Sequence, residues 1–133
     1  MKDAVIVSTA RTPIGKAYRG AFNDTEAPVL GGHVIRAALN KVGVAGEGVG
    51  EVILGIGARQ GTQGDNLGRR CGYTAGLPES VGGMVIDRMC ASGLMSIATA
   101  SKSIMTGELD IAVAGGLESI PLVQNKHKNS YRA

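Results

Sequence analysis

Apolar positions along the chain gather into short compact runs separated by stretches with a helical period, the alternation of a layered α/β protein. Ala4-Val5-Ile6-Val7-Ser8 is β-branched and unbroken by charge, so it is expected to be a strand buried on both faces, as in a parallel sheet. Glu51-Val52-Ile53-Leu54-Gly55, Met84-Val85-Ile86 and Asp110-Ile111-Ala112-Val113-Ala114-Gly115-Gly116 read as three further strands. Between them the period changes. Asp24 or Thr25 can cap a helix with Glu26 and Pro28 in its first turn, an apolar stripe at Leu30, Val34, Ala37 and Ala38, and a stop at Gly43. Asp65 or Asn66 can cap a second, in which Leu67, Cys71 and Ala75 share a face before Gly76 and Pro78 end it. A third spans Ala91–Thr106, with Leu94, Ile97, Ala98, Ile104 and Met105 at helical spacing and Gly107 as its C-terminal cap.

The order strand, helix, strand, helix, strand, helix, strand predicts an α/β sheet with right-handed crossovers. Gly68 and Gly72 each weaken the second helix by about 1 kcal/mol, so they are expected to serve close packing against another element. The third helix carries one charge, Lys102, and many small residues, the composition of a helix covered on nearly all sides. No periodic pattern runs from Pro121 to Ala133, and an irregular, mobile tail is expected there. Residues 1–119 are therefore read as one domain and 120–133 as the start of a loop region.

The 133 residues suffice for one domain with a genuine core. Only 3% are aromatic and 21 are glycine, so that core must be built from aliphatic side chains with backbones in close approach. A formal charge of +3 is no nucleic-acid signature, because the basic residues are scattered apart from Lys126, His127, Lys128 and Arg132, and few aromatics are present for base stacking. The basic cluster Arg11, Lys16 and Arg19 reads as a solvated loop. Two cysteines make neither a disulfide framework nor a metal site, and a reducing, cytoplasmic setting follows as the default. The opening apolar run is too short for a signal-peptide core or a membrane span. Gly55-Ile56-Gly57-Ala58-Arg59-Gln60-Gly61 follows a strand but fails as a dinucleotide fingerprint, since Gln60 stands where the third glycine belongs. His33 has no partner motif and reads as a packed or partly exposed side chain.

Cys90 is the position with chemistry in it. It sits where the strand ending at Ile86 gives way to the helix from Ala91, beside unpaired amides and the positive end of the helix dipole, both of which stabilise a thiolate relative to a thiol. It is the candidate nucleophile; the competing reading is a small buried hydrophobe without reactivity. Cys71, mid-helix on the apolar side, reads as core filler.

Three stretches together resemble the thiolases, the acyl-CoA C-acyltransferases, in their N-terminal half: Val5-Ile6-Val7-Ser8-Thr9-Ala10-Arg11-Thr12-Pro13-Ile14-Gly15, then Asp87-Arg88-Met89-Cys90-Ala91-Ser92-Gly93-Leu94, then Ala114-Gly115-Gly116-Leu117-Glu118-Ser119. Gln63-Gly64-Asp65-Asn66-Leu67-Gly68-Arg69 is similar to the family's entry to the second helix, with Leu67 where a proline is common. The resemblance implies a layered mixed sheet around a buried central helix, and a ping-pong acyl transfer in which Cys90 attacks a thioester, forms an acyl-enzyme and passes the acyl group to CoA or to an acetyl-CoA carbanion. Coenzyme A is then substrate and product, with no bound cofactor and no metal. The Cys90 amide is implied as one donor of the oxyanion hole.

The family's second half supplies a histidine in a Gly-His-Pro stretch, a second cysteine in a Cys-x-Gly stretch, and a further oxyanion donor; none of these motifs occurs here. His33 is followed by Val34, and Cys71-Gly72 by Tyr73. The chain is thus expected to be incomplete without a complementary chain and to act in an oligomer with it, binding neither nucleic acid nor membrane. Two rivals stand beside a catalytic thiolase portion: a non-catalytic thiolase-fold binding or scaffold subunit, and another condensing enzyme of the same fold, which the Asp-Arg-Met-Cys-Ala-Ser-Gly context disfavours.

Overall fold

A computed structural model describes residues 2–124. Its elements in chain order are α1 (Ala27–Val42), β1 (Glu51–Gly55), α2 (Leu67–Ala75), β2 (Gly82–Ile86), α3 (Ser92–Thr106), β3 (Ala112–Gly116) and a short α4 (Ile120–Val123), with brief 3-10 turns before β1 and before α2. The strands pair in the order β2-β1-β3, with Glu51 opposite both Gly82 and Ala112. All pairings are parallel over the described residues, where the resemblance implied a mixed sheet.

β1 is central, and its sequence shows why. Val52, Ile53 and Leu54 are buried without a polar alternation, as a strand covered on both faces must be. Successive side chains point to opposite faces. Ile53 and Gly55 therefore face α3, whose first turn lies against Gly55, while Val52 faces α2, where it lies against Gly72.

The expected strand at Ala4–Ser8 does not form. β1 is hydrogen-bonded on both sides over its whole length, and neither β2 nor β3 takes this segment as a second ladder partner, so it joins no sheet. The segment is held instead by an ion pair from Lys2 to Asp110, by the Lys2 amide donating to the Met105 carbonyl, and by the Ser8 hydroxyl donating to the Ala38 carbonyl. Lys2 holds the Asp110 carboxyl below its usual range, first through the hydrogen bond and then through its charge. Val5, Ile6 and Val7 remain 72, 73 and 69% exposed, and a cavity of about 640 Å³ lies between this segment, α1, α3 and β3.

α1 begins later than its sequence suggests. Glu26, not Asp24 or Thr25, is the N-cap, without a side-chain bond, and Pro28 occupies the first turn, where its missing N–H costs nothing. Its buried face runs through Ala27, Pro28, Gly31, Gly32, Ile35 and Leu39, rotated from the stripe read on Leu30, Val34, Ala37 and Ala38. Gly31 and Gly32 allow α2 close: a β-carbon at Gly31 would strike Cys71, and one at Gly32 the Thr74 side chain. α2 starts at an Asn66 cap whose Oδ1 accepts from the Arg69 amide, while its Nδ2 donates to the Gly83 carbonyl. Gly68 seats α2 on the sheet, since a β-carbon there would come 2.5 Å from the Met84 carbonyl oxygen. Gly72 meets only ordinary contacts at 3.7 Å, so close packing is the office of Gly68 alone.

Cys71 is core filler, as expected, and wholly buried. Burial pushes its thiol up to about 12 from 9.0, against a smaller opposing effect of Arg70. The folded state thus holds this proton more tightly than the unfolded chain, so the stability it contributes is complete below about pH 9 and is lost as pH rises toward 12. Denaturant titrations between these limits are expected to show stability falling by on the order of 1 kcal/mol per pH unit from this group. A Cys71→Ala variant should show a correspondingly flatter alkaline decline.

α3 ends at Gly107 in the left-handed conformation, as its sequence indicates. Its burial is one-sided, contrary to the expectation of cover on nearly all sides. Ser92, Ser96 and Ala100 are buried against the sheet, whereas Leu94 is 73% exposed and Ile97 and Met105 are open too. The four-residue α4 occupies the start of the stretch read as irregular, with Val123 buried; the remainder of that expected tail, 125–133, lies outside the described residues. None of the described helices is long and apolar enough to cross a membrane.

Candidate active site

The turn from β2 into α3 carries Cys90 and is fixed by local hydrogen bonds. The Met89 amide donates to Asp87 Oδ1 (2.9 Å) and the Arg88 amide to Ser92 Oγ (2.8 Å). The Ser92 hydroxyl and amide both donate to the Met89 carbonyl, at 2.6 and 3.1 Å. These bonds hold Met89 at φ 52°, in the left-handed region that a long side chain enters at a cost of roughly 1–3 kcal/mol. The backbone immediately before Cys90 is therefore strained and over-determined, and Cys90 itself is exposed. It stands one residue ahead of the helix cap, Ala91, at the end where first-turn amides lack intrahelical acceptors.

Glycines bring that turn down onto the sheet. A β-carbon at Gly55 would overlap the Ser92 carbonyl and the Gly93 amide nitrogen, and one at Gly116 would come 3.2 Å from the Gly93 α-carbon. The carboxyl ends of β1 and β3 thus form the floor under the start of α3. The Ser96 hydroxyl ties the same helix to the Gly115 carbonyl (2.7 Å).

A second group lies on this floor that patterning alone gave no role: Glu118 appeared only as one letter of a motif. Its carboxylate accepts from the Gly57 amide (2.9 Å), the Ala58 amide (3.2 Å) and the Gln63 side-chain amide. Gln63 is wholly buried and fully engaged, donating also to the Ala58 carbonyl (2.7 Å) and accepting from the Ser119 amide. Hydropathy could not reveal this, because most of the partners are backbone groups brought together by the parallel β1–β3 pairing.

Other candidates fall elsewhere. His33 lies on α1, in a small pocket with Arg11 and Phe22, and neither that pocket nor the 640 Å³ cavity is lined by Cys90. No group of three His, Cys, Asp or Glu side chains able to hold a metal occurs among the described residues. The site thus offers an exposed thiol at a helix start, with rigid backbone around it.

The family model for the thiolase N-terminal domain matches residues 4–133. The chain is 42% identical to a 3-ketoacyl-CoA thiolase of Bacillus subtilis over 92% of its own length and 32% of the relative's. It is 45% identical to an acetyl-CoA acetyltransferase of Cupriavidus necator, over 90% of the chain and 30% of the relative, and 40% identical to the human mitochondrial acetyl-CoA acetyltransferase, over 98% and 31%. The chain spans about a third of the length of these curated relatives. With that family model matching residues 4–133, nearly the whole chain, the chain belongs to the thiolase family and matches its N-terminal domain.

Proposed function

We propose that this chain is the nucleophile-bearing portion of an acyl-CoA C-acyltransferase, with Cys90 as the acyl acceptor. The observation that carries the reading is the exposed Cys90 on a strained, hydrogen-bonded turn at the start of α3, within the N-terminal domain of an acyltransferase family. The Cys90 thiolate adds to the thioester or 3-keto carbonyl, and the oxyanion is met by amides of the turn, Cys90 N–H among them. Collapse expels the CoA thiolate, or the acetyl-CoA carbanion in thiolysis, and leaves an acyl thioester on Cys90. CoA or an acetyl-CoA carbanion then takes the acyl group and returns the thiolate. The proton acceptor for Cys90 and the acid for the carbanion belong to the two-thirds of the family sequence not present in these residues.

That remainder, on a longer polypeptide or a separate chain, is the proposed partner. Exposed Val5, Ile6, Val7, Met89, Leu94 and Met105 support it, because soluble proteins rarely leave so much aliphatic surface uncovered. A scaffold role is the alternative class.

Denaturing intact-mass spectrometry of the isolated protein, before and after incubation with acetyl-CoA, separates the two. The expected result is a larger species carrying the remaining sequence and one acetyl group mapped to Cys90. A complete assembly in which Cys90 stays unlabelled by acetyl-CoA and by 3-ketoacyl-CoA would overturn the acyl-transfer reading in favour of the scaffold.

A further inference from the structure

The hydrogen-bonding reach of Glu118 extends the β-ladder where the backbone stops. Leu117 N donates to Gly55 O, the last rung between β3 and β1, and the next step is made by a side chain, Glu118 Oε2 accepting from Gly57 N. At Gly57 the Cys90 turn also comes near that loop. A β-carbon placed on it would lie 3.3 Å from Glu118 Oε2 and 3.8 Å from the Met89 carbonyl oxygen. The carboxylate and the Met89 carbonyl thus flank one point on the Gly57 backbone.

The Met89 carbonyl and the Cys90 N–H belong to one planar peptide unit, so whatever sets the plane of one sets the direction of the other. Ser92 holds that carbonyl from the α3 side, through its hydroxyl and amide. On the sheet side it faces the Gly57 backbone, its oxygen 3.8 Å from the point a β-carbon there would occupy, and Glu118 and, through it, Gln63 hold that backbone.

We infer that Glu118 is a positioning residue for the Cys90 amide: by pinning Gly57 and Ala58 it fixes the Met89–Cys90 peptide plane and so aims the Cys90 N–H at the oxyanion formed during acyl transfer. The inference rests on Cys90 being the acyl acceptor. A carboxylate is required because three N–H donors converge on it, and a carboxamide would turn its own NH₂ toward one of them.

Two reactions of the same thiol separate aiming from general support. Acylation by acetyl-CoA passes through an oxyanion; alkylation by iodoacetamide displaces iodide and does not. Cys71 supplies an internal fold control, because it is wholly buried and reacts only if the domain opens. In the intact protein, Glu118→Gln is expected to slow Cys90 acylation by about 10- to 100-fold, the scale on which misplaced oxyanion donors act. Alkylation of Cys90 should change by less than about threefold, with Cys71 still protected, since it needs no oxyanion donor. Glu118→Asp, which keeps the charge, should recover part of the acylation rate.

Equal acylation by wild type and Glu118→Gln would overturn the inference, as would a parallel loss of acylation and alkylation. If Glu118→Gln exposes Cys71, the same acylation-to-alkylation ratio is read on Glu118→Asp, and an unchanged ratio there overturns it. A wild-type Cys90 that alkylates but never acylates would instead refute the acyl-transfer reading, and the positioning role with it.

Discussion

Cys90→Ala is expected to abolish acyl labelling and to reduce turnover of the complete enzyme by on the order of 10⁴- to 10⁶-fold, the range found when a covalent nucleophile is deleted. The size of the effect follows from chemistry: with no thiolate there is no thioester intermediate, and water or free CoA must attack an acyl-CoA directly. Stability should be nearly untouched. Cys90 is exposed and its side chain fills no part of the core, so its truncation falls in the class of surface changes worth within about 0.5 kcal/mol. Cys90→Ser is the sharper variant, since it keeps size and polarity but offers an alcohol that is scarcely ionised at neutral pH. Labelling with acetyl-CoA and thiolysis of a 3-ketoacyl-CoA should both fail for both variants while their unfolding midpoints match wild type. Turnover retained in Cys90→Ala would remove this thiol from the mechanism.

What could be read from the sequence was what short-range physics decides. β1 declared itself by three aliphatic residues without alternation, α2 by the Asn66 cap, and α3 by its period and by Gly107, which takes the left-handed turn its glycine suggests. The place of Cys90 between a strand and a helix was legible for the same reason, because that change of structure is local. The features that escaped depend on partners distant in the chain. Ala4–Ser8 has strand composition, but the three-stranded sheet does not take it up, and residue preference cannot say which segments find a ladder partner. The buried face of α1 was misplaced because Gly31 and Gly32, which meet α2, contribute nothing to a hydrophobic pattern. Glu118 was hidden because a carboxylate serving backbone amides looks, in sequence, like any surface acid. One-sided cover of α3 is the remaining case: its composition anticipated neighbours on more faces than these residues supply.

The second large effect is expected at Gly55, where stability and chemistry meet. Gly55→Ala should destabilise the domain by about 3 kcal/mol or more, because the new methyl carbon would overlap backbone atoms of Ser92 and Gly93 and not the tip of a side chain that could swing away. For a domain of this size that is a fall of roughly 10–20 °C in melting temperature. The matched control is Gly72→Ala on α2, where the same methyl finds only 3.7 Å contacts. There the gain in helix propensity, about 1 kcal/mol, should leave the protein as stable as wild type or slightly more so. The comparison isolates close backbone approach from the general cost of replacing a glycine. If Gly55→Ala melts with wild type, then α3 does not rest on the end of β1 as described. If it survives as a folded, weakened domain, the relief must come from a shift of the first turn of α3. Cys90 leads into that turn, so its acylation should then fall further than its alkylation, as is expected when the support of Glu118 is lost. The two variants approach one peptide plane from different strands, β1 directly and β3 through a carboxylate, and an agreement between them would identify the sheet's carboxyl edge as the surface that aims the nucleophile's amide.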